Sequence, residues 1–300
     1  MTGPASGGDG TISWRRLLDE TAAITGRPQA RWLCEEASGA FGDEFLEVQS
    51  HAVTERCIAH LDAMLARLRD GEPLQYVLGH WSFRRLDLLV DPRVLIPRPE
   101  TELVAELAID LARSLAAQRP GRPLPVADLG TGSGAIGLSL AAELPRGLVD
   151  VWLTDVSPDA LDVARANLAG LGMAGAGVQF GHGEWFEALP SSLHGELAVV
   201  VSNPPYIAPD DPEVAPDVRR WEPALALFAD DHGLAHVRTI AAGASSWLRP
   251  GGWLVLEIGA GQGSAVADVL RDAGLCEVAV RRDLSGRDRI ASARRDPGEN

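Results

Sequence analysis

The stretch Val126-Ala127-Asp128-Leu129-Gly130-Thr131-Gly132-Ser133-Gly134 constrains the fold of this chain more than any other. Its apolar half reads as a buried strand, its glycines as a tight turn, and Ala135, Ile136, Leu138 and Leu140 then carry helical spacing. A strand that turns through glycines into a helix leaves bare backbone at the carboxyl end of a sheet, where a cofactor can touch the main chain. A strand-to-helix turn that binds nothing is the competing reading. The next apolar run, 149–155, ends in Asp155. That carboxylate can accept both hydroxyl hydrogens of a ribose, and it lies near the offset of roughly 20 residues expected of nucleoside-binding units. The glycine spacing departs from the G-x-G-x-x-G pattern that receives a pyrophosphate, which favours a cofactor without phosphates.

Around this turn, apolar runs at 124–128, 149–155, 178–181, 197–201 and 253–258 alternate with helical segments. Such alternation predicts an α/β fold with a mostly parallel sheet covered by helices. A helix over 264–272 and strands over 277–281 and 289–293 complete the pattern. Residues 11–72 read as a separate helical domain whose core stripes include Trp14, Leu17, Leu18, Ile58, Leu61, Met64, Leu65 and Leu68. It carries no nucleophile, metal cluster or Gly-rich loop, so it is expected to pack or to recognise. Residues 73–98, with β-like runs at 81–83 and 86–90, read as a hairpin linker, and residues 99–300 as the cofactor-binding domain. The first ten residues, rich in Gly, Ser and Pro, are expected to form a disordered tail. At Pro97-Arg98-Pro99-Glu100-Thr101-Glu102 a helix opens, with Pro99 in its first turn and two acidic residues at the positive end of its dipole. The same segment is placed to gate a substrate.

After the fourth apolar run the sequence stops at Asn203-Pro204-Pro205-Tyr206. Two prolines forbid further strand pairing, and Pro204 drives Asn203 into an extended conformation that fixes where its amide points. With no N–H on either proline, this backbone offers acceptors without competing donors, which suits a planar NH2 group. The Asn203 oxygen and a proline carbonyl can each take one hydrogen, while Tyr206 offers a flat stacking surface. Trp185, after the third run, can pack on an adenine or simply fill the core; His182 reads as incidental. A second Gly-rich turn, Glu257-Ile258-Gly259-Ala260-Gly261-Gln262-Gly263, lacks a following strand that ends in a carboxylate and is assigned a structural role.

Charge narrows the partners. The chain has 27 basic residues, all Arg, against 42 acidic ones, for a formal net charge of -15. Phosphate backbones repel such a chain at long range, so protein or small-molecule substrates are favoured over nucleic acid. Cys34, Cys57 and Cys276 have neither the spacing of a metal site nor that of a disulfide framework, so no metal is expected. No signal peptide or membrane-length apolar run is evident, and a cytoplasmic protein is expected.

With these residues in place the chain resembles the HemK-type peptide-chain release-factor glutamine methyltransferases. The likeness runs from about residue 11 onward through Pro73-Leu74-Gln75-Tyr76 with Gly79, Val94-Leu95-Ile96-Pro97-Arg98-Pro99-Glu100-Thr101-Glu102, the Gly130 turn and the Asn203 motif. It implies a class I, Rossmann-like methyltransferase fold whose seven-stranded sheet has an antiparallel last strand, joined to a small N-terminal helical domain. It further implies S-adenosylmethionine held by Gly130, Thr131, Gly132, Ser133, Gly134, Asp155, Trp185 and Asn203. The substrate glutamine, from the Gly-Gly-Gln loop of a release factor, would be held by Asn203, Pro204, Pro205 and Tyr206, with its amide nitrogen facing the sulfonium methyl. The chain departs from the family pattern at Ser82-Phe83 and at Ala229-Asp230-Asp231-His232-Gly233-Leu234.

Three other readings compete. A nucleic-acid methyltransferase acting on adenine N6 or guanine N2 would also need an Asn-Pro-Pro-aromatic motif, but it would require a basic surface or a base-flipping domain. A glutamine methyltransferase acting on a ribosomal protein would keep the same site. A non-catalytic adaptor would bind cofactor without methyl transfer.

Overall fold

The computed structural model describes residues 12–118 and 121–298, so the tail expected over residues 1–10 lies outside the described residues. The chain divides into two compact units between Gly79 and His80.

The first unit consists of helices α1 (Trp14–Thr25), α2 (Arg27–Ser38), α3 (Asp43–Val48), α4 (Glu55–Arg69) and α5 (Leu74–Leu78). α1 and α4 start where Ser13 and Thr54 turn their hydroxyls back to accept from Arg16 N and Cys57 N, satisfying otherwise orphaned backbone donors. Leu18, Leu33, Phe45, Leu61 and Met64 form the buried seam between the helices, with Trp14 edge-on to Phe45 at 6.0 Å. The segment read as the start of a hairpin linker is helical over Leu74–Leu78, and Gly79, at φ 82°, ends it. The Arg67 guanidinium closes this corner: it donates to both carboxylate oxygens of Glu72 and to the Tyr76 and Val77 carbonyls.

The second unit opens with an antiparallel hairpin, β1 (His80–Phe83) and β2 (Leu86–Leu89), followed by α6 (Pro99–Gln118). Then come β3 (Leu124–Leu129), α7 (Ala135–Glu143), β4 (Val149–Asp155), α8 (Pro158–Gly170), β5 (Val178–His182), β6 (Leu197–Ser202), α9 (Pro216–Trp221) and α10 (Asp230–Gly233). α11 (Ala235–Trp247), β7 (Leu248–Glu257), α12 (Gly263–Asp272), β8 (Cys276–Arg282) and β9 (Asp288–Arg294) complete it. The sheet has seven strands in the order β5-β4-β3-β6-β7-β9-β8, and β9 alone runs against the others. Helices cover both faces, so central strands such as β6 are buried along their whole length and read as continuous apolar runs rather than alternating ones. β7 starts upstream of the apolar run at 253–258, because Leu248 pairs with Leu197 across a register shift.

Two features aim this scaffold. From β3 the chain moves to β4 on one side and later to β6 on the other, which opens a crevice at the carboxyl ends of β3 and β6. Asn167 on α8 then ties the hairpin to the Gly-rich turn: its oxygen accepts Leu89 N at 2.7 Å, and its nitrogen donates to Leu89 O at 3.1 Å and Ser133 O at 2.8 Å. On the hairpin's other side the Arg84 fork grips Glu143 at 2.6 and 2.9 Å. Asn167→Ala strands the Leu89 N–H and carbonyl, both part-buried, and the buried Ser133 carbonyl, and is expected to lower unfolding free energy by about 2 kcal/mol in urea titration. A loss under about 0.5 kcal/mol, the range of ordinary surface substitutions, would refute the clamp.

Candidate active site

The crevice between β3 and β6 holds a cavity of about 340 Å³, within the range of small-molecule sites. Of the residues singled out from sequence, Gly130, Thr131, Gly132, Ser133, Asp155, Trp185, Asn203 and Pro205 line it. Gly134, Pro204 and Tyr206 stand outside that lining. Gly134 takes φ 87° at the start of α7, where a Cβ would sit 2.8 Å from Leu138 Cδ1, so it serves helix packing. Pro204 is buried; Tyr206 is half-buried, with its hydroxyl turned onto Glu257.

The floor is built by the backbone. Gly132 N donates to Asp155 Oδ2 at 2.9 Å and Ser157 N to Oδ1 at 2.9 Å, which leaves each carboxylate oxygen lone pairs for further donors. Burial raises the Asp155 pKa, and the backbone donors act against the rise. The Trp185 ring would meet a Cβ on Gly130 at 3.5 Å and lies 5.2 Å from the His236 ring, while its indole N–H is buried with no partner among the described residues. These features fit a nucleoside: a carboxylate with spare acceptors for ribose hydroxyls, a flat indole near Gly130, and a turn whose glycines bare the backbone. His182 makes a contact with the Val156 carbonyl at 3.1 Å.

One wall comes from Asn203. Ser202 at the end of β6 donates to Leu129 O at 2.6 Å, which pins this strand end beside the Gly130 turn. The Asn203 amide nitrogen then donates to Thr101 Oγ1 at 3.3 Å, and Thr101 donates to Glu257 Oε2 at 2.6 Å. Tyr206 donates to Glu257 Oε1 at 3.1 Å and lies beneath the Arg289 guanidinium, 5.9 Å from its ring centre. Burial, and after it the Glu257 carboxylate, push the Tyr206 phenol upward, so it stays protonated.

The opposite wall is the segment 93–97 together with Pro223, Leu225 and Ala226. Glu222, 5% exposed, ties the two stretches by accepting Ile96 N and pairing with the Arg98 guanidinium.

Sequence reading missed Thr101, Glu222, Glu257, Gln262 and His236. Most act across long sequence separations, which leave no local period. The second Gly-rich turn is more than a turn: Gln262 accepts Gly259 N at 2.8 Å and donates to the Tyr206 carbonyl at 3.0 Å and the His232 carbonyl at 3.3 Å. Gly233 allows that approach, because a Cβ there, at φ 83°, would fall 2.1 Å from Tyr206 O. The signal was present as a strand ending in Glu257, a carboxylate beside the Asn203 motif's strand.

A mostly parallel seven-stranded sheet with a reversed last strand, a Gly-rich turn after β3 and an acidic end to β4 together define a class I methyltransferase fold. Residues 109–218 match the Methyltransferase small domain and residues 13–79 the PrmC N-terminal domain. The chain is 41% identical over 277 residues to a release factor glutamine methyltransferase of Bordetella pertussis, covering 92% of this chain and 98% of that protein. It is 42% identical over 233 residues to the one from Vibrio cholerae, covering 78% and 77%, and 44% identical over 232 residues to the one from Xylella fastidiosa, covering 77% and 80%. The chain belongs to the release factor glutamine methyltransferase family.

Beneath the turn, Asp128 is buried and accepts from Thr131 Oγ1 at 2.6 Å and Gly137 N at 2.9 Å, both through Oδ2. Burial pushes its pKa from 3.8 to about 6 against those two donors. The folded state therefore holds this proton to higher pH than the unfolded chain, so Asp128 contributes most stability below about pH 4 and loses it as pH rises toward 6. Relative to Asp128→Asn, the wild type is expected to lose about 1.4 kcal/mol per pH unit across that window and to level off above it. Paired urea titrations from pH 4.5 to 7.5 check this; a pH-independent difference between the two proteins would be incompatible with it.

Proposed function

We propose that this chain transfers a methyl group from S-adenosylmethionine to the side-chain amide nitrogen, N5, of the glutamine in the Gly-Gly-Gln loop of peptide-chain release factors. The observation that carries the reading is the Asn203 carboxamide on the cavity wall, with its nitrogen tied to Thr101 and its oxygen left for a substrate. Release factors are the substrates named for relatives that align with most of this chain.

Asp155 would take the ribose hydroxyls of S-adenosylmethionine, the Gly130 turn would present main chain to its amino-acid portion, and Trp185 would pack on its adenine. When bound, the cofactor supplies an electrophilic methyl on a positively charged sulfur. The chain's own work is alignment. An amide nitrogen is a weak nucleophile because its lone pair is shared with the carbonyl, so rate comes from holding it at the attack geometry. Asn203 Oδ1 and a proline carbonyl of the motif each accept one substrate N–H, which would direct the nitrogen's remaining face at the methyl. Tyr206 flanks the planar carboxamide. The nitrogen becomes acidic once methylated, so its proton leaves without a dedicated base.

Residues 11–72 serve as the release-factor recognition domain, with the stretch 73–98 linking it to the catalytic domain over 99–300. The net charge of -15 disfavours direct nucleic-acid binding. No helix among the described residues is long and apolar enough to cross a membrane, and a cytoplasmic location with no membrane partner is part of the proposal.

Mass spectrometry of a purified release factor, incubated with enzyme and cofactor, is expected to show one added methyl, absent when the loop glutamine is alanine. A methyl on both proteins would remove the substrate assignment. Asn203→Ala is expected to reduce kcat by roughly 100-fold or more with cofactor affinity nearly intact. By contrast, Asp155→Ala is expected to weaken cofactor binding by about tenfold or more, since it removes hydrogen bonds to a charged group. Calorimetry and single-turnover rates separate the two effects, and an Asn203→Ala enzyme as fast as wild type would contradict the alignment role.

A further inference from the structure

The two ends of a carboxamide have nearly the same shape and opposite hydrogen-bonding character. A site that receives a substrate NH2 must present Asn203 with its oxygen outward, and the Asn203 side chain alone does not decide that. The surroundings do. Ser202 pairs in register with Leu256, so the next residues along, Asn203 past the end of β6 and Glu257 at the end of β7, follow side by side. Glu257 is 1% exposed, and its two oxygens each take a hydroxyl proton, from Thr101 at 2.6 Å and from Tyr206 at 3.1 Å. Arg289, which donates to the Tyr206 oxygen at 3.3 Å and to the Ile258 carbonyl at 3.1 Å, supplies the nearby positive charge.

Burial raises the Glu257 pKa, and the Thr101 hydroxyl, the Arg289 charge and the Tyr206 hydroxyl act against the rise. With these three favouring the ionised form, Glu257 is a carboxylate, which only accepts. Thr101 has a single hydroxyl proton, and Glu257 takes it, so Thr101 Oγ1 can meet Asn203 only as an acceptor. The Asn203 nitrogen must therefore face Thr101 and the oxygen must face away. We propose that Glu257 is the positioning residue that fixes the polarity of the Asn203 carboxamide, acting through the Thr101 hydroxyl, and so makes the site selective for an NH2-bearing substrate. This rests on the amide-methylation reading above. It gives the opening of α6 a second duty: Thr101 lies in the helix-opening segment Pro97 to Glu102, so that segment delivers the hydroxyl that links Glu257 to Asn203.

Four proteins test the relay: wild type, Thr101→Val, Thr101→Ser and Glu257→Gln, together with the Thr101→Val/Glu257→Gln double variant. Thr101→Val keeps the shape and deletes the relay; Glu257→Gln offers one acceptor where two hydroxyls need one. Each is expected to lower kcat about tenfold with KM for release factor and cofactor Kd within threefold of wild type. Thr101→Ser is expected to restore kcat to within threefold. The double variant is expected to be no slower than the worse single one, because both break one relay. A Glu257→Gln enzyme with wild-type kcat, multiplicative losses in the double variant, or a Thr101→Ser enzyme as slow as Thr101→Val would each overturn the inference. An activity-independent readout accompanies these rates: side-chain amide NMR, with the Asn203 signal assigned by its absence in Asn203→Asp. One Asn203 N–H proton is expected to be protected from exchange in wild type and Thr101→Ser, and unprotected in Thr101→Val and Glu257→Gln; equal exchange in all four overturns the relay. If wild type methylates no release factor, the functional reading fails, while the NMR comparison still decides the relay.

Discussion

Three neighbouring strands, β3, β6 and β7, carry buried polar side chains at their carboxyl ends: Asp128, Ser202 and Glu257. A polar group in that interior costs free energy unless it is hydrogen-bonded. Each finds its partners in the loops that make the site. Asp128 takes Thr131 and the amide of Gly137, which sets the Gly-rich turn. Ser202 donates to Leu129 O and brings the β6 end to that turn. Glu257 takes Thr101 and Tyr206, which brings in the start of α6 and the Asn203 motif. These hydrogen bonds hold Thr131, Thr101 and Asn203, all of which line the cavity, while Asp128 Oδ1 and the Trp185 indole N–H are buried with no partner among the described residues.

The parallel sheet was legible in the sequence because full burial gives strands such as β6 an unbroken apolar run, and the glycine turn because glycine takes the positive φ values found at 130, 132 and 134 without the strain that a side chain adds. The position of Asn203 was legible for a similar reason: two prolines end pairing wherever they stand. What stayed hidden acts at long range. Glu222 reaches back to Ile96 and Arg98, and Glu257 to Thr101, across intervening strands and helices with no repeating spacing to mark them. The second glycine turn shows the limit most clearly. The pattern assigned it a structural role, and the strand beside β7 on that side is the antiparallel β9, yet it gave no sign that Gln262 supports the Tyr206 backbone.

Helix α5 was obscured for a different reason. Five residues are too few to show a helical period, and the flanking Pro73 and Gly79 suit a turn as well as a helix. What stabilises so short a helix is the packing of Leu74 and Val77 into the core of the first unit and the Arg67 contacts to its last carbonyls, both tertiary.

That Arg67 corner bears on the chain's exclusive use of arginine. Four acceptors, two carboxylate oxygens and two carbonyls, converge on one planar cation whose fork matches their arrangement. An ammonium group has three protons and no plane, so a lysine in this place would leave an acceptor unserved even with the charge conserved. A guanidinium also keeps its charge throughout the pH range in which proteins remain folded. The join between α4 and α5 is thus insensitive to alkaline titration, and the sequence offers no lysine for acylating enzymes or amine-directed crosslinkers to modify.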